Sequence, residues 1–385
     1  MKKIKILMVA GSMHVGGIEN QLMHLARNAN KEKYQIDFTS TMPDAFYREE
    51  IESLGGKFIL IPPMDWKNPR RHIETLLRLM REGHYDIVHS HELFHSGITL
   101  WLAKKAGIPC RFVHAHNWCD DDGTGKKRSI SRSLYNVVMQ RLINRYSTVQ
   151  IACSSWAGKF LYGEQVQKRD SYHLVFNSVD TGKFLEQYDR VETGEFCDDN
   201  WTNILNVARV TTVKNQKFLV EIVEEFRKRN DKIRILCAGN GDEEYEVQIH
   251  KMIEEKQLGE YIQFLGVRKD IDVLMRKCNA FVLPSKYEGM PLVMIEAQAA
   301  GLPCVSADTY SPEVDFGINA VTWLSLEAGV SAWADALEQA VKKDRAVKDD
   351  VQKAIYDKRF DSKMFAETIC ELYEEDYLLR KVNND

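Results

Sequence analysis

Apolar and polar positions follow one repeating order along this chain. Short, almost continuous apolar runs alternate with longer stretches in which apolar residues recur every three or four positions. Runs of the first kind are strands buried on both faces, and spacing of the second kind is an amphipathic helix. In the first half, residues 4–10, 34–40, 57–61, 86–90, 111–115, 149–153 and 173–176 read as strands. Among them lie a helix carrying Ile18, Leu22, Leu25 and Ala26, helices over 68–82 and 94–106, and another starting at Ser155. In the second half, strands are expected over 202–208, 233–238, 261–265 and 281–283, with helices from about residue 216, up to about 257, and over 291–300. Three helices close the chain, 331–342, 346–356 and 363–379, the last carrying Phe365, Ile369, Leu372, Tyr373 and Leu379. Strand and helix alternating at this spacing predict right-handed β-α-β units, and hence parallel sheets covered on both faces.

A length of 385 residues is enough for two such domains, each with its own core. The acidic, aperiodic stretch 186–201 reads as the linker. Hydrophobic residues make up 44% and charged residues 28%, the composition of an ordinary soluble globular protein. No run of about eighteen apolar residues occurs, so no spanning helix is expected. The start MKKIKILMVAGS is basic and partly apolar, but Lys5 interrupts it and a glycine loop follows; it reads as a first strand rather than a leader. Eight cysteines are scattered without a C-x-x-C, and Cys153, Cys237 and Cys304 sit in apolar runs, which suits reduced thiols in a cytoplasmic protein. Residues 1–180 hold 25 Lys and Arg against 18 Asp and Glu, whereas the remainder holds 27 against 38. The split fits halves that meet different partners, and equally fits independent drift of two surfaces.

The densest chemistry lies in residues 281–305, FVLPSKYEGMPLVMIEAQAAGLPCV. A buried strand leads into a loop with Pro284, Gly289 and Pro291, then a helix with proline as its first residue and glycine just past its end, and after Gly301-Leu302-Pro303 another short strand. A loop at a strand's carboxyl end that feeds a helix N-terminus presents free N–H groups, the usual anion site of doubly wound sheets. Glu288 lies in that loop, and Glu296 stands about 7.5 Å up the helix with its side chain leaning back toward the loop. Upstream, Arg209 follows the strand 202–208, and Lys214 and Asn215 precede the next helix. A guanidinium matches two phosphate oxygens in a planar fork, and a lysine adds a mobile point charge.

The pattern P-S-x-x-E-G-x-P-L-x-x-x-E-A-x-A-x-G-x-P, with seven residues between its two glutamates, resembles the signature of family-4 retaining glycosyltransferases of the GT-B type. Within that family it is most similar to the bacterial capsular and exopolysaccharide branch. The resemblance implies an α/β fold of two Rossmann-like, doubly wound parallel-sheet domains facing a cleft. It assigns 1–183 to an acceptor-side domain, 184–360 to a nucleotide-sugar domain, and 361–385 to a helix crossing back onto the first. It also implies donor contacts. Gly16 and Gly17, in a GG-x-E element with Glu19, bring backbone amides to the diphosphate, although on the residues alone they could simply make a tight turn. Arg209 and Lys214, in V-x-R-x-x-x-x-K-N, are the paired diphosphate cations. Gly239 and Gly241 shape the nucleotide pocket, and the backbone near Arg268 meets the base. Asn177-Ser178-Val179-Asp180 resembles the family's N-G-[VI]-D element, with Ser178 in place of the usual glycine.

Histidines cluster at two strand ends, His89 and His91 in IVHSHE and His114 and His116 in FVHAHN. Spacing of i, i+2 puts each pair on one face of its strand, but no acid or cysteine stands nearby at ligand spacing, so a metal site is not expected. By resemblance, His116 is the histidine that faces the donor sugar and His91 lies near the acceptor; His89 and His114 are structural. Asp120, Asp121 and Asp122 are read as a solvated turn rather than a D-x-D metal motif. Lys126, Lys127 and Arg128 precede a basic helix with Leu134, Val137, Val138 and Leu142. The basic run suits an anionic lipid or a lipid-diphosphate acceptor, whereas the helix's apolar face is read as core.

The expected reaction moves a sugar from a nucleoside diphosphate sugar, with uridine as base, to a hydroxyl of a glycan or lipid-linked acceptor with retention at the anomeric carbon. Arg209, Lys214 and the Gly16–Gly17 amides would stabilise the leaving diphosphate, Glu288 would hold sugar hydroxyls with the amides of Gly289, Met290, Pro291 and Leu292 alongside, and Glu296 the ribose hydroxyls. No cofactor, metal or nucleic-acid partner is expected. The expected location is cytoplasmic, with peripheral contact between the basic N-terminal half and an anionic membrane. A nucleotide-sugar 2-epimerase on the same scaffold is the alternative, and a missing G-x-G-x-x-G weighs against a dinucleotide-dependent dehydrogenase.

Overall fold

In the computed structural model, all residues are described except 1, 2, 15, 44, 45, 66, 120–129, 191, 193, 197–199 and 383–385. Among the described residues, those up to Ser178 together with Ser362–Val382 form one compact unit, and those of Val179–Asp361 form another.

The first unit is a seven-stranded sheet in the order β3-β2-β1-β4-β5-β6-β7. Its strands are β1 (Ile4–Val9), β2 (Tyr34–Ser40), β3 (Phe58–Leu60), β4 (Ile87–Ser90), β5 (Cys110–Ala115), β6 (Val149–Ala152) and β7 (Tyr172–Leu174). Every pairing is parallel. Successive side chains of a strand point to opposite faces, so β1 divides its residues between two cores. Ile6 and Met8 pack with Leu22, Leu25, Phe112, Ile369 and Tyr373 on one face. Leu7 and Val9 pack with Leu76, Met80, Val88 and Leu102 on the other. The helix Ser362–Val382 belongs to this unit and buries Phe365, Ala366, Ile369, Leu372 and Tyr373. Polar ties hold it in register: Tyr34 Oη donates to Glu374 at 2.8 Å, and Thr148 Oγ1 donates to buried Asp376 at 2.7 Å.

The second unit is a six-stranded sheet in the order β10-β9-β8-β11-β12-β13. Its strands are β8 (Thr202–Val207), β9 (Ile233–Ala238), β10 (Ile262–Gly266), β11 (Ala280–Leu283), β12 (Cys304–Ala307) and β13 (Val321–Leu324), again all parallel. Ile204, Ile235, Val282 and Val305 meet Val223, Phe226, Trp333 and Leu337 in its core.

Two elements carry no clear sequence signal. β13 is a four-residue edge strand whose positions are all half-buried, so it lacks a continuous apolar run. The helix Arg48–Ser53 buries only Ile51 and shows no periodicity. Two readings are corrected. The described part of 186–201 is no loose linker: Glu192 and Arg276, both nearly buried, are paired at 2.8 Å, and Phe196 accepts a bond from Asn203 Nδ2 at 2.6 Å. The helix Ile130–Tyr146 buries Asn136, Met139 and Ile143, leaving Leu134, Val137 and Val138 exposed, so that apolar stripe is not core. Gly97 permits this close packing, since a Cβ there would lie 2.8 Å from the Met139 carbonyl oxygen.

Ile369 is fully buried against the first sheet. Ile369→Ala should therefore lower the stability of this unit by about 2–5 kcal/mol. Urea unfolding followed by circular dichroism checks this, and an unchanged midpoint contradicts the packing.

Candidate active site

Strand order reverses between β8 and β11 in the second unit and between β1 and β4 in the first. At such a switch point the connections leave toward opposite faces, opening a crevice beyond the carboxyl ends of the strands. Of the predicted residues, Gly16, His91, Arg209, Lys214 and Glu288 fall on the loops that follow these four strands.

In the second unit, the loop after β8 carries Arg209 and Lys214, and the loop after β11 carries Glu288. The loops are stitched together: Lys286 N donates to Val213 O at 2.8 Å, and Asn215 Nδ2 donates to Pro284 O at 3.2 Å. Asn215 holds a left-handed conformation, φ 62°, immediately before the helix Gln216–Arg229. Asparagine tolerates that turn better than most residues, which is a local reason for asparagine after the lysine. Buried Gln216 then braces the loop from inside, its amide donating to Arg209 O at 2.9 Å and accepting from Thr211 N at 3.3 Å. The Lys214 ammonium is paired directly with the Glu288 carboxylate, and only 19% and 10% of these side chains are exposed. Arg209 is exposed and forms no side-chain ion pair among the described residues.

Gly239 and Gly241 have packing reasons of their own. Gly239 sits at φ 132°, where a Cβ would lie 2.1 Å from Ala208 O, and at Gly241 it would lie 2.2 Å from Val210 O. The two glycines therefore let the β9 loop lie directly against the backbone that presents Arg209. Arg268 is committed to Asp270 through a bidentate pair at 2.8 and 2.7 Å, which pulls the Asp270 carboxyl below its ordinary range.

Gly289, Met290 and Pro291 are buried and Leu292 is half-buried. Pro291 is the N-cap of the helix Leu292–Ala299 rather than its first residue, and no side chain caps that helix. Nearby, Ser285 is fully buried, and its hydroxyl has no hydrogen-bond partner among the described residues. The Glu296 carboxylate has no hydrogen bond or ion pair among the described residues. Burial pushes its pKa up to about 7, with Lys183 opposing and Asp272 reinforcing the shift.

In the first unit, Gly16 is the extended N-cap of the helix Gly17–Asn28, again with no side-chain cap. A Cβ on Gly16 would fall 2.4 Å from the Glu19 carboxylate, which accepts a 2.6 Å bond from Ser12 Oγ. Ser178 is held by Gln21, whose amide donates to Ser178 O at 2.7 Å and accepts from Ser178 N at 2.9 Å.

The four histidines converge. His89 opposes Phe112 across the β4–β5 pairing, so His89, His91, His114 and His116 share one sheet face. All four are buried. His91 Nδ1 lies 2.8 Å from His116 Nε2, so the expected division into an acceptor-side and a donor-side histidine is a division within one contact pair. Burial lowers the pKa of every ring, that of His116 to about 3, so all four are neutral at physiological pH. The expectation that ruled out a metal considered each strand alone, and the cluster arises across two. Asp120, Asp121, Asp122, Lys126, Lys127 and Arg128 lie outside the described residues.

Residues 15–183 match Glycosyltransferase Family 4, and residues 198–359 match Glycosyl transferases group 1. EpsF of Bacillus subtilis, named as a glycosyltransferase, is 31% identical over 374 residues, 96% of either chain. The chain belongs to the group 1, family-4 glycosyltransferases. The capsular polysaccharide biosynthesis glycosyltransferase CapH of Staphylococcus aureus is 25% identical over 76% of this chain and 78% of its own. An Escherichia coli UDP-Gal:alpha-D-GlcNAc-diphosphoundecaprenol alpha-1,3-galactosyltransferase is 25% identical over 60% of each. Among solved structures, Anabaena HepE in complex with UDP-glucose superposes with a TM-score of 0.73 at 18% identity, covering 97% of this chain and 100% of that one. That likeness fits the two parallel-sheet units of the GT-B class expected from the sequence.

Glu296 generates a pH prediction. Its folded pKa, about 7, lies above its ordinary 4.5, so the folded state holds the proton more tightly than the unfolded state. Its contribution to stability therefore falls as pH rises from about 4.5 to about 7. Glu296→Gln should stabilise the protein at pH 8 by on the order of 3 kcal/mol and change little at pH 4. Thermal unfolding at the two values checks this; an equal effect at both contradicts it.

Proposed function

We propose that this glycosyltransferase moves a sugar from a uridine diphosphate sugar to a hydroxyl of a lipid-linked glycan in surface polysaccharide assembly, with retention at the anomeric carbon. The observation that carries this reading is the switch point of the second unit, where Arg209, Lys214 and Glu288 occupy two loops bonded to one another. The names of the relatives support the finer terms, a uridine nucleotide and a diphosphoundecaprenol-linked acceptor in one case and capsular polysaccharide in another.

As the bond from the anomeric carbon to the leaving oxygen breaks, negative charge grows on the diphosphate. Arg209 and Lys214 stabilise it there, a role that needs no metal ion. When the diphosphate enters, Lys214 exchanges part of its bond to Glu288 for phosphate oxygens. Glu288 is then an acceptor for sugar hydroxyls, which suits a carboxylate better than contact with a phosphate. Glu296, near its titration point at neutral pH, either accepts from or donates to ribose hydroxyls. The family pattern assigns Gly16 and Gly17 to the diphosphate and His116 to the donor sugar. With no nucleophile assigned, the acceptor hydroxyl attacks the face that the diphosphate leaves, and a phosphate oxygen takes its proton.

A lipid-linked acceptor also suits the helix Ile130–Tyr146. Ile130, Leu134, Val137 and Val138 stand 89%, 63%, 45% and 40% exposed, while Arg132, Arg141 and Arg145 line the same helix. Among the described residues no helix is long and apolar enough to cross a membrane. A basic helix with an exposed apolar stripe fits peripheral contact with the anionic inner face of a membrane.

Incubation with a panel of nucleotide sugars, with and without undecaprenyl-linked glycans, tests the reaction. Nucleoside diphosphate should be released only with acceptor, and proton NMR should show the donor's anomeric configuration in the product. Arg209→Ala should lower kcat by about two to three orders of magnitude. Turnover in Arg209→Ala equal to wild type, an inverted product, or epimerised donor without acceptor contradicts the reading.

A further inference from the structure

The histidine cluster of the first unit has a property that sugar transfer does not use. One ring nitrogen from each of His89, His91 and His114 can be chosen so that the three lie within 4.8 Å of one another. These rings are 1%, 8% and 1% exposed. We propose that His89, His91 and His114 form a binding site for a borderline transition-metal dication, of which zinc is the representative, with a water as the fourth ligand.

Hydrogen-bond accounting carries the inference. A neutral imidazole has one N–H and one lone pair, and each needs a partner when buried. His89 Nε2, His91 Nε2, His114 Nε2 and His116 Nδ1 are all buried and have none among the described residues. An unpaired buried polar group is costly, and native folds seldom leave one without a water or ion, let alone four in one cluster. The remaining contacts orient the rings as second-shell partners orient metal ligands. Tyr373 Oη lies 2.6 Å from His89 Nδ1, and His116 Nε2 lies 2.8 Å from His91 Nδ1, so both rings keep Nε2 for another partner.

The donor set selects the ion. Three imidazoles with no carboxylate disfavour magnesium and calcium and favour zinc, copper or nickel. Tetrahedral zinc takes nitrogen at about 2.0–2.1 Å, which places its donors about 3.3 Å apart. The rings would have to close in by roughly 1.5 Å from the widest spacing and turn from the near-parallel arrangement of His89 and His114, whose planes lie 4° apart, so that their in-plane lone pairs meet at the ion. Two of the ligands come from the end of β4 and one from β5, so the ion would cross-tie neighbouring strands at their carboxyl ends. It takes no part in the transfer, whose leaving group is held by Arg209 and Lys214.

Metal-depleted full-length protein equilibrated with zinc chloride and measured by elemental analysis tests the site. One zinc per chain is expected, with affinity reduced at least tenfold in His89→Gln and in His114→Gln. Cobalt in place of zinc should give visible bands of tetrahedral type. Anomalous diffraction at the zinc edge should put the ion among the three rings, which decides the matter even if a variant fails to fold. Absence of bound zinc, equal affinity in wild type and folded variants, or an anomalous peak elsewhere overturns the proposal.

Discussion

The ion pair between Lys214 and Glu288 is the constraint around which the second unit's site is built. Two opposite charges sit largely out of water on separate loops, and each neutralises the other while no ligand is bound. Removing one partner of a buried pair leaves an uncompensated charge and typically costs about 3–5 kcal/mol. The surroundings keep the pair in place. Asn215 takes the left-handed turn behind Lys214, Gln216 ties the same loop to the Arg209 carbonyl, and the bond from Lys286 N to Val213 O fixes the loop that bears Glu288. A ligand with an anionic end and a hydroxyl-rich end satisfies both charges at once, which is the character of a nucleoside diphosphate sugar.

The first unit solves a different problem with the same topology. Its switch point lies between β1 and β4. Gly16 leaves an uncapped helix start, and beside β4 the four histidines are held uncharged by burial. The helix Ser362–Val382 completes this unit from the far end of the chain. Its Tyr373 is at once a core residue and the hydrogen-bond partner of His89. Packing and site geometry thus share one side chain.

Much of this was legible in the residues. Buried parallel strands announce themselves as apolar runs, so twelve of the thirteen strands among the described residues could be read to within a few residues, and Arg209, Lys214, Glu288 and Glu296 stood out as a family pattern set at strand ends. β13 escaped because an edge strand need not be apolar on both faces. The exposed stripe on Ile130–Tyr146 was misread because periodicity reveals an apolar face without saying what covers it. The histidine cluster needed strand order: β4 and β5 are neighbours only through pairing, and i, i+2 spacing within each gives half the arrangement. The pairing of Lys214 with Glu288, 74 residues apart in the chain, likewise depends on β8 lying beside β11.

The direct test of the exchange of partners at Lys214 is calorimetric titration of UDP and of the UDP-sugar donor into wild type, Glu288→Gln and Lys214→Met. With its ammonium released, Glu288→Gln should bind UDP at least as tightly as wild type while losing the added affinity for the sugar, and Lys214→Met should weaken both ligands. Equal loss of UDP affinity in the two variants would contradict the exchange and leave the ion pair a purely structural brace.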